Sequence, residues 1–177
     1  MAAKISIDEV NKLPQEAFIE RFGNVVEMTP LCAASVSSMR PFDGIDKLYF
    51  AMSEFIDALP TCGREGILRC IPDLAGRRAK RNELSAESKQ EQAKAGLGNL
   101  TEQEASIIDS LNQSYRAKFG FPFVICAREN KKDAIISGLK RRVENDKETE
   151  LRTGIQEVKK IMLLRLKDLM GDRKSKL

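Results

Sequence analysis

The sequence predicts an all-α protein, a single-domain helical bundle. Three observations carry that prediction. Residues 45, 48, 49, 52, 55, 56 and 59 are apolar, which is the three-and-four spacing of one helix face. Two segments, Ser6-Ile7-Asp8-Glu9 and Thr101-Glu102-Gln103-Glu104, have the hydroxyl-x-x-carboxylate pattern of a capping box. One run, Phe121 to Ala127, has strand composition, but no second run exists to pair with it.

Taken in order, Ser6 starts a first helix. Pro14 opens a second through Phe22, with Ala17, Phe18 and Phe22 on one face and Gly23 closing it. Pro30 opens a segment from Leu31 to Met39, whose small residues Ala33, Ala34, Ser35 and Ser37 suit close packing. Arg40 to Gly44 reads as a turn, and the striped helix from Ile45 stops at Pro60. A short helix spans Gly63 to Cys70, and Pro72 changes the chain's direction. Ser85 caps a polar helix to Ala95, ended by Gly96 and Gly98. Thr101 starts a helix to Phe119, broken by Gly120. Phe121 to Ala127 reads as a buried extended segment leading into helix. Two amphipathic helices, Lys131 to Asn145 and Glu148 to Met170, complete the chain.

At 177 residues the chain is long enough for one domain with a hydrophobic core, here about residues 6–170 of a domain spanning 1–177. The net charge of +4 is small and interspersed, and few aromatics sit beside basic runs. That pattern argues against a nucleic-acid face, and the basic run 172–176 reads as a solvated end. No apolar run has membrane-spanning length, and Met1-Ala2-Ala3-Lys4 does not lead into a secretory apolar stretch. Cys32, Cys62, Cys70 and Cys126 have no metal-ligand spacing, and there is no histidine to share a zinc. They are expected to be reduced, buried thiols. The chain ends Ser175-Lys176-Leu177, the tripeptide read by the peroxisomal import receptor, which predicts a peroxisomal location.

Several segments have two readings. Pro72-Asp73, taken alone, is a helix start, because proline sets the first turn and Asp meets the helix dipole. Ser88 and Glu91, three apart, share a helix face, either solvated or gripping a ligand. Phe123 to Ala127 is core by composition, yet its backbone N–H and C=O groups could also read a polar ligand. Arg128 is either a surface cation or a fork for a carboxylate.

In order along the chain stand Phe22-Gly23-Asn24-Val25-Val26-Glu27, Arg40-Pro41-Phe42, Cys70-Ile71-Pro72-Asp73-Leu74-Ala75-Gly76, and Ser88-Lys89-Gln90-Glu91-Gln92 followed by Ala95-Gly96-Leu97. Leu111-Asn112-Gln113-Ser114-Tyr115 then leads to Lys118-Phe119-Gly120-Phe121-Pro122-Phe123-Val124-Ile125-Cys126-Ala127-Arg128. This series resembles the motifs of the OHCU decarboxylases, which convert 2-oxo-4-hydroxy-4-carboxy-5-ureidoimidazoline to (S)-allantoin. The resemblance implies an all-α, often dimeric fold, a small ureide substrate, and no cofactor or metal. It implies substrate binding by Pro72, Ser88, Lys89, Gln90, Glu91, Gln92, Phe123, Val124, Ile125, Cys126, Ala127 and Arg128. It also places Ile71 where the family has its proton-donating histidine, with Glu91 beside it in the chemistry. Isoleucine neither donates nor accepts a proton. Loss of such a group costs on the order of a hundred- to ten-thousand-fold in rate. Glu91, its carboxyl raised by an apolar pocket, is the candidate stand-in. The implied function is therefore a decarboxylase slowed by Ile71, or a non-catalytic relative that binds a ureide or purine-derived ligand or scaffolds the pathway.

Overall fold

Polar side-chain caps at Ser6, Ser85 and Thr101 set the starts of their helices. In the computed structural model, which describes residues 4–171, Ser6 accepts the Glu9 amide while the Glu9 carboxylate accepts the Ser6 amide, opening α1 (Ile7–Lys12). Thr101 and Glu104 make the same reciprocal pair at the start of α8 (Glu102–Phe119), and Gly120 ends α8 in the left-handed region at φ 78°. An L side chain there would meet its own carbonyl, so glycine is the residue that stops this helix without strain. Between them lie α2 (Gln15–Phe22), α3 (Leu31–Val36) with a 3₁₀ turn at Ser37–Met39, α4 (Ile45–Ala58), α5 (Thr61–Cys70), α6 (Arg77–Lys80) and α7 (Ala86–Lys94). A 3₁₀ turn at Ala127–Glu129, α9 (Lys132–Arg142) and α10 (Lys147–Leu169) follow. Among the described residues the structure is helical, with one isolated parallel bridge, Ile5 to Met170. The all-α prediction holds. Ser175, Lys176 and Leu177 lie outside the described residues.

The chain forms two compact units, residues 1–67 with 159–177, and residues 68–158. In the first unit α3 packs on α2 and α4. Phe18, Phe22, Leu48, Met52 and Ile56 are fully buried there, each contributing roughly 1.5–3 kcal/mol of transfer free energy. The Asn11 amide brackets the turn at Phe42, donating to its carbonyl and accepting its N–H, both at 2.8 Å. A Cβ on Gly23 would come within 2.5 Å of the Ile19 carbonyl oxygen, so this close approach requires glycine. The buried Arg165–Glu27 pair (2.7 Å) and Lys159–Asp57 (2.5 Å) lie in the same unit.

In the second unit the apolar run after Gly120 packs as rings. Tyr115 meets Phe119 at 4.6 Å and Phe123 at 5.5 Å between centroids. The run has no strand partner and stays extended, as expected.

Some boundaries and burials differ from expectation. Pro60 does not merely stop α4; its carbonyl accepts the amides of Gly63 and Arg64, so α5 begins at Thr61 rather than Gly63. No helix starts at Pro72-Asp73; Gly76 N-terminally flanks α6 instead. Helix α9 is shorter than read, stopping at Arg142, while α10 keeps its length but runs one residue earlier, from Lys147 to Leu169. Of the four thiols, Cys32 and Cys126 are buried, but Cys62 is exposed and Cys70 half-buried. Cys62 sits in the first turn of α5 beside the exposed Pro60 and Thr61, where nothing covers it.

Candidate functional site

Every segment the sequence singled out for substrate belongs to the unit of residues 68–158. The loop 71–76 leaves α5 with the Ile71 amide donating to the Leu68 carbonyl at 3.1 Å. Ile71 is half-buried, while Pro72 and Leu74 are buried. Ala75 takes φ 50°, a left-handed conformation costing roughly 1–2 kcal/mol for a residue with a Cβ. Asp73 caps no helix. Its carboxylate receives a two-pronged bond from Arg116, Nε to Oδ1 at 2.9 Å and Nη2 to Oδ2 at 2.9 Å.

Helix α7 starts where Ser85 accepts the Ser88 amide at 3.1 Å. Its pitch turns Ser88, Glu91 and Gln92 inward, all three buried. Lys89 and Gln90 point outward, and Lys89 Nζ donates to Asn82 Oδ1 at 2.8 Å. Gln92 Oε1 accepts the Ala75 amide at 2.9 Å, which joins α7 to the loop. At the other side α7 packs on the 3₁₀ turn that carries Arg128, a half-buried residue. Lys132 donates its amide to the Ala95 carbonyl at 3.0 Å. The three sequence-predicted segments are thus brought together around α7.

The segment 123–127 spends part of its backbone internally. Arg142 Nη1 donates to the Val124 carbonyl at 2.8 Å, and the guanidinium stacks over the Phe123 ring at 4.6 Å. The Cys126 amide donates to Glu157 Oε2 at 2.8 Å, and its carbonyl accepts from Asn130 Nδ2 at 2.9 Å. The Cys126 amide and carbonyl are therefore spent within the protein, since that carbonyl also accepts the Glu129 amide at 3.1 Å, while the Val124 carbonyl keeps a second lone pair. Arg142 is itself tied to Glu150, which is 0% exposed and also accepts from the Tyr115 hydroxyl and from Asn145. Burial, then the Glu150 hydrogen bond and charge, holds the Tyr115 phenol protonated far above its ordinary range. Burial and then the Glu129 charge push the Cys126 thiol up, so it is no ready nucleophile.

A hollow of about 300 Å³ lies beside the loop, lined by Asp73, Gly76, Asn112 and Arg116 among others. Ser88, Glu91 and residues 123–127 do not line it. Sequence reasoning missed the side chains that hold the loop. Arg116 falls in the gap between the quoted motifs, after Tyr115 and before Lys118, and nothing local pairs it with Asp73, 43 residues away.

These features define an all-α protein with a buried polar helix face, Ser88, Glu91 and Gln92, tied to the loop 71–76 through Gln92. The OHCU decarboxylase family model matches residues 11–167, and the chain belongs to that family. It is 51% identical to the 2-oxo-4-hydroxy-4-carboxy-5-ureidoimidazoline decarboxylase of Amia calva, over 92% of this chain and 93% of that protein. It is 45% identical to the enzyme of the same name from Xenopus laevis, over 96% and 97%. In fold it is similar to a crystal structure of (S)-allantoin synthase, with TM-score 0.77 and 21% identity, covering 94% of this chain and 54% of that one. It is also similar to an OHCU decarboxylase solved in the presence of (S)-allantoin, with TM-score 0.69 and 20% identity, covering 90% and 100%.

Proposed function

We propose that this chain is a carboxy-lyase that converts 2-oxo-4-hydroxy-4-carboxy-5-ureidoimidazoline to (S)-allantoin in urate breakdown. The observation that carries this reading is the likeness to the Amia calva decarboxylase along nearly the whole length of both proteins. The chemistry needs no cofactor. Carbon dioxide leaves, and its bonding pair is taken up by the adjacent C=N bond of the ring. The neighbouring carbon then gains a proton on one face, and the hydroxyl loses one to become the ketone. Two proton movements are what the protein must manage, and a positioned acid/base group speeds such steps by on the order of a hundred- to ten-thousand-fold.

In this reading Glu91 moves protons, while Ser88, Gln92, Pro72 and the unspent backbone of 123–127 grip the ureide. Lys89, Gln90 and Arg128 take part at the margin. Ile71 supplies no proton, so turnover is slow compared with a relative carrying an acid/base side chain there. That same residue, in a chain with no histidine, favours a second reading: ligand binding or pathway scaffolding without turnover. Ser175-Lys176-Leu177 directs the protein to the peroxisome through the import receptor, and a homodimer is the working assembly. The test is circular dichroism of freshly generated substrate. (S)-allantoin forming faster than the spontaneous racemic background supports the enzyme. Binding of (S)-allantoin with no such excess supports the second reading.

A further inference from the structure

We propose that Arg116 is a positioning residue for the loop 71–76, acting together with Asn112 one turn earlier on α8. This rests on the functional reading above, which places the reaction beside that loop. The loop is not self-supporting. Ala75 sits at φ 50°, and Gly76 is so close to Asp73 that a Cβ on it would lie 2.5 Å from the Asp73 Cβ. A strained turn persists when surrounding groups over-determine it.

Three side chains do so. From α7, Gln92 Oε1 accepts the Ala75 amide. From α8, Asn112 Nδ2 donates to the Leu74 carbonyl at 3.1 Å, and Arg116 forks onto Asp73. Residues 112 and 116 are four apart and share a helix face, so α8 grips two successive residues of the loop. The fork matters because two parallel N–H···O bonds fix direction as well as distance. Lysine would keep the charge and lose the fork. Through Asp73 and Leu74 this clamp sets where Ile71 and Pro72 stand. Gln92 is accordingly a loop holder as well as a candidate ligand contact.

The experiment compares the full chain with its Arg116→Lys and Arg116→Gln variants. Arg116 is partly exposed, so both variants fold, which a thermal melt verifies. Calorimetry with (S)-allantoin and amide hydrogen exchange at residues 73–76 are then measured. Misplaced orienting groups cost on the order of ten- to a hundredfold. Both variants should weaken binding on that scale and quicken exchange at Leu74 and Ala75, with exchange elsewhere in 68–158 unchanged. Affinity and exchange within about twofold of the parent, less than a single hydrogen bond is worth, overturn the proposal. So does exchange that rises evenly across 68–158, which marks general destabilisation. If the parent itself does not bind (S)-allantoin, the circular-dichroism assay above decides the functional reading. The exchange at 73–76 still decides whether Arg116 holds the loop.

Discussion

Replacing Glu150 by glutamine is the sharpest test of how the candidate site is supported. Glu150 is fully enclosed and accepts from Tyr115, from Arg142 Nε at 2.7 Å and from Asn145 Nδ2 at 2.8 Å, with Arg142 Nη2 at 2.5 Å. Glutamine keeps one acceptor oxygen but turns an NH₂ towards one of these donors. It also removes the charge facing Arg142, which is 6% exposed and pinned between the Val124 carbonyl and the Phe123 ring. Breaking one side of a buried pair costs about 3–5 kcal/mol, because the other charge stays buried and uncompensated. Against a typical total of about 5–15 kcal/mol, that is a large fraction. Urea denaturation followed by far-ultraviolet circular dichroism reads it as a lower midpoint with an unchanged slope. The double variant Glu150→Gln with Arg142→Met removes both charges and should recover most of the loss. A single variant within about 1 kcal/mol of the parent, or a double variant worse than the single, would refute the reasoning.

Three further outcomes follow from the same structure. Glu104 is held below its ordinary value of 4.5 by Lys132 and the Thr101 amide, and Asp146 below 3.8 by the Thr149 amide. Both groups have depressed folded values, so their stabilising effect is complete above those ordinary values. It drains as pH falls through the lowered ones. Thermal midpoints should hold from pH 7 to 5 and drop below about 4; a midpoint that rises on acidification contradicts this. Iodoacetamide at pH 8 should label Cys62 first, whereas Cys32, its thiol pushed up to about 12 by burial, should label only on unfolding. Early labelling of Cys32, mapped by peptide mass, would contradict the packing. Removing Ser175-Lys176-Leu177 from a fluorescent fusion should move it from peroxisomes to the cytosol, and unchanged peroxisomal signal would remove the targeting reading.

Local chemistry made most of the fold legible. The two capping boxes, the stripe of α4 and the stop at Gly120 each depend on residues within a turn or two, and each formed as read. Helix pitch put Ser88 and Glu91 on one face, but whether that face was solvated or buried was open in the sequence; the structure buries it together with Gln92. What could not be read depends on distant partners. Asp73 resembled a helix start because its local signal is identical to one, yet its carboxylate is used by Arg116. That Arg142 and Glu157, from α9 and α10, bond to the Val124 carbonyl and the Cys126 amide is invisible in the sequence of 123–127 itself. Helix α6 has four residues and no apolar period to find. Cys62 looked buried because it lies just after the apolar stripe that ends at Leu59, although its turn of α5 has no cover.

The central claim is that this fold handles the ureide stereoselectively, at a rate limited by Ile71. Circular dichroism of freshly generated substrate, with the chain and its Ile71→His variant side by side, tests it directly. The account predicts optically active (S)-allantoin from the chain above the spontaneous background. It predicts a gain of about a hundredfold or more in rate on restoring an acid/base group at position 71. Racemic product at the spontaneous rate from both proteins would contradict it.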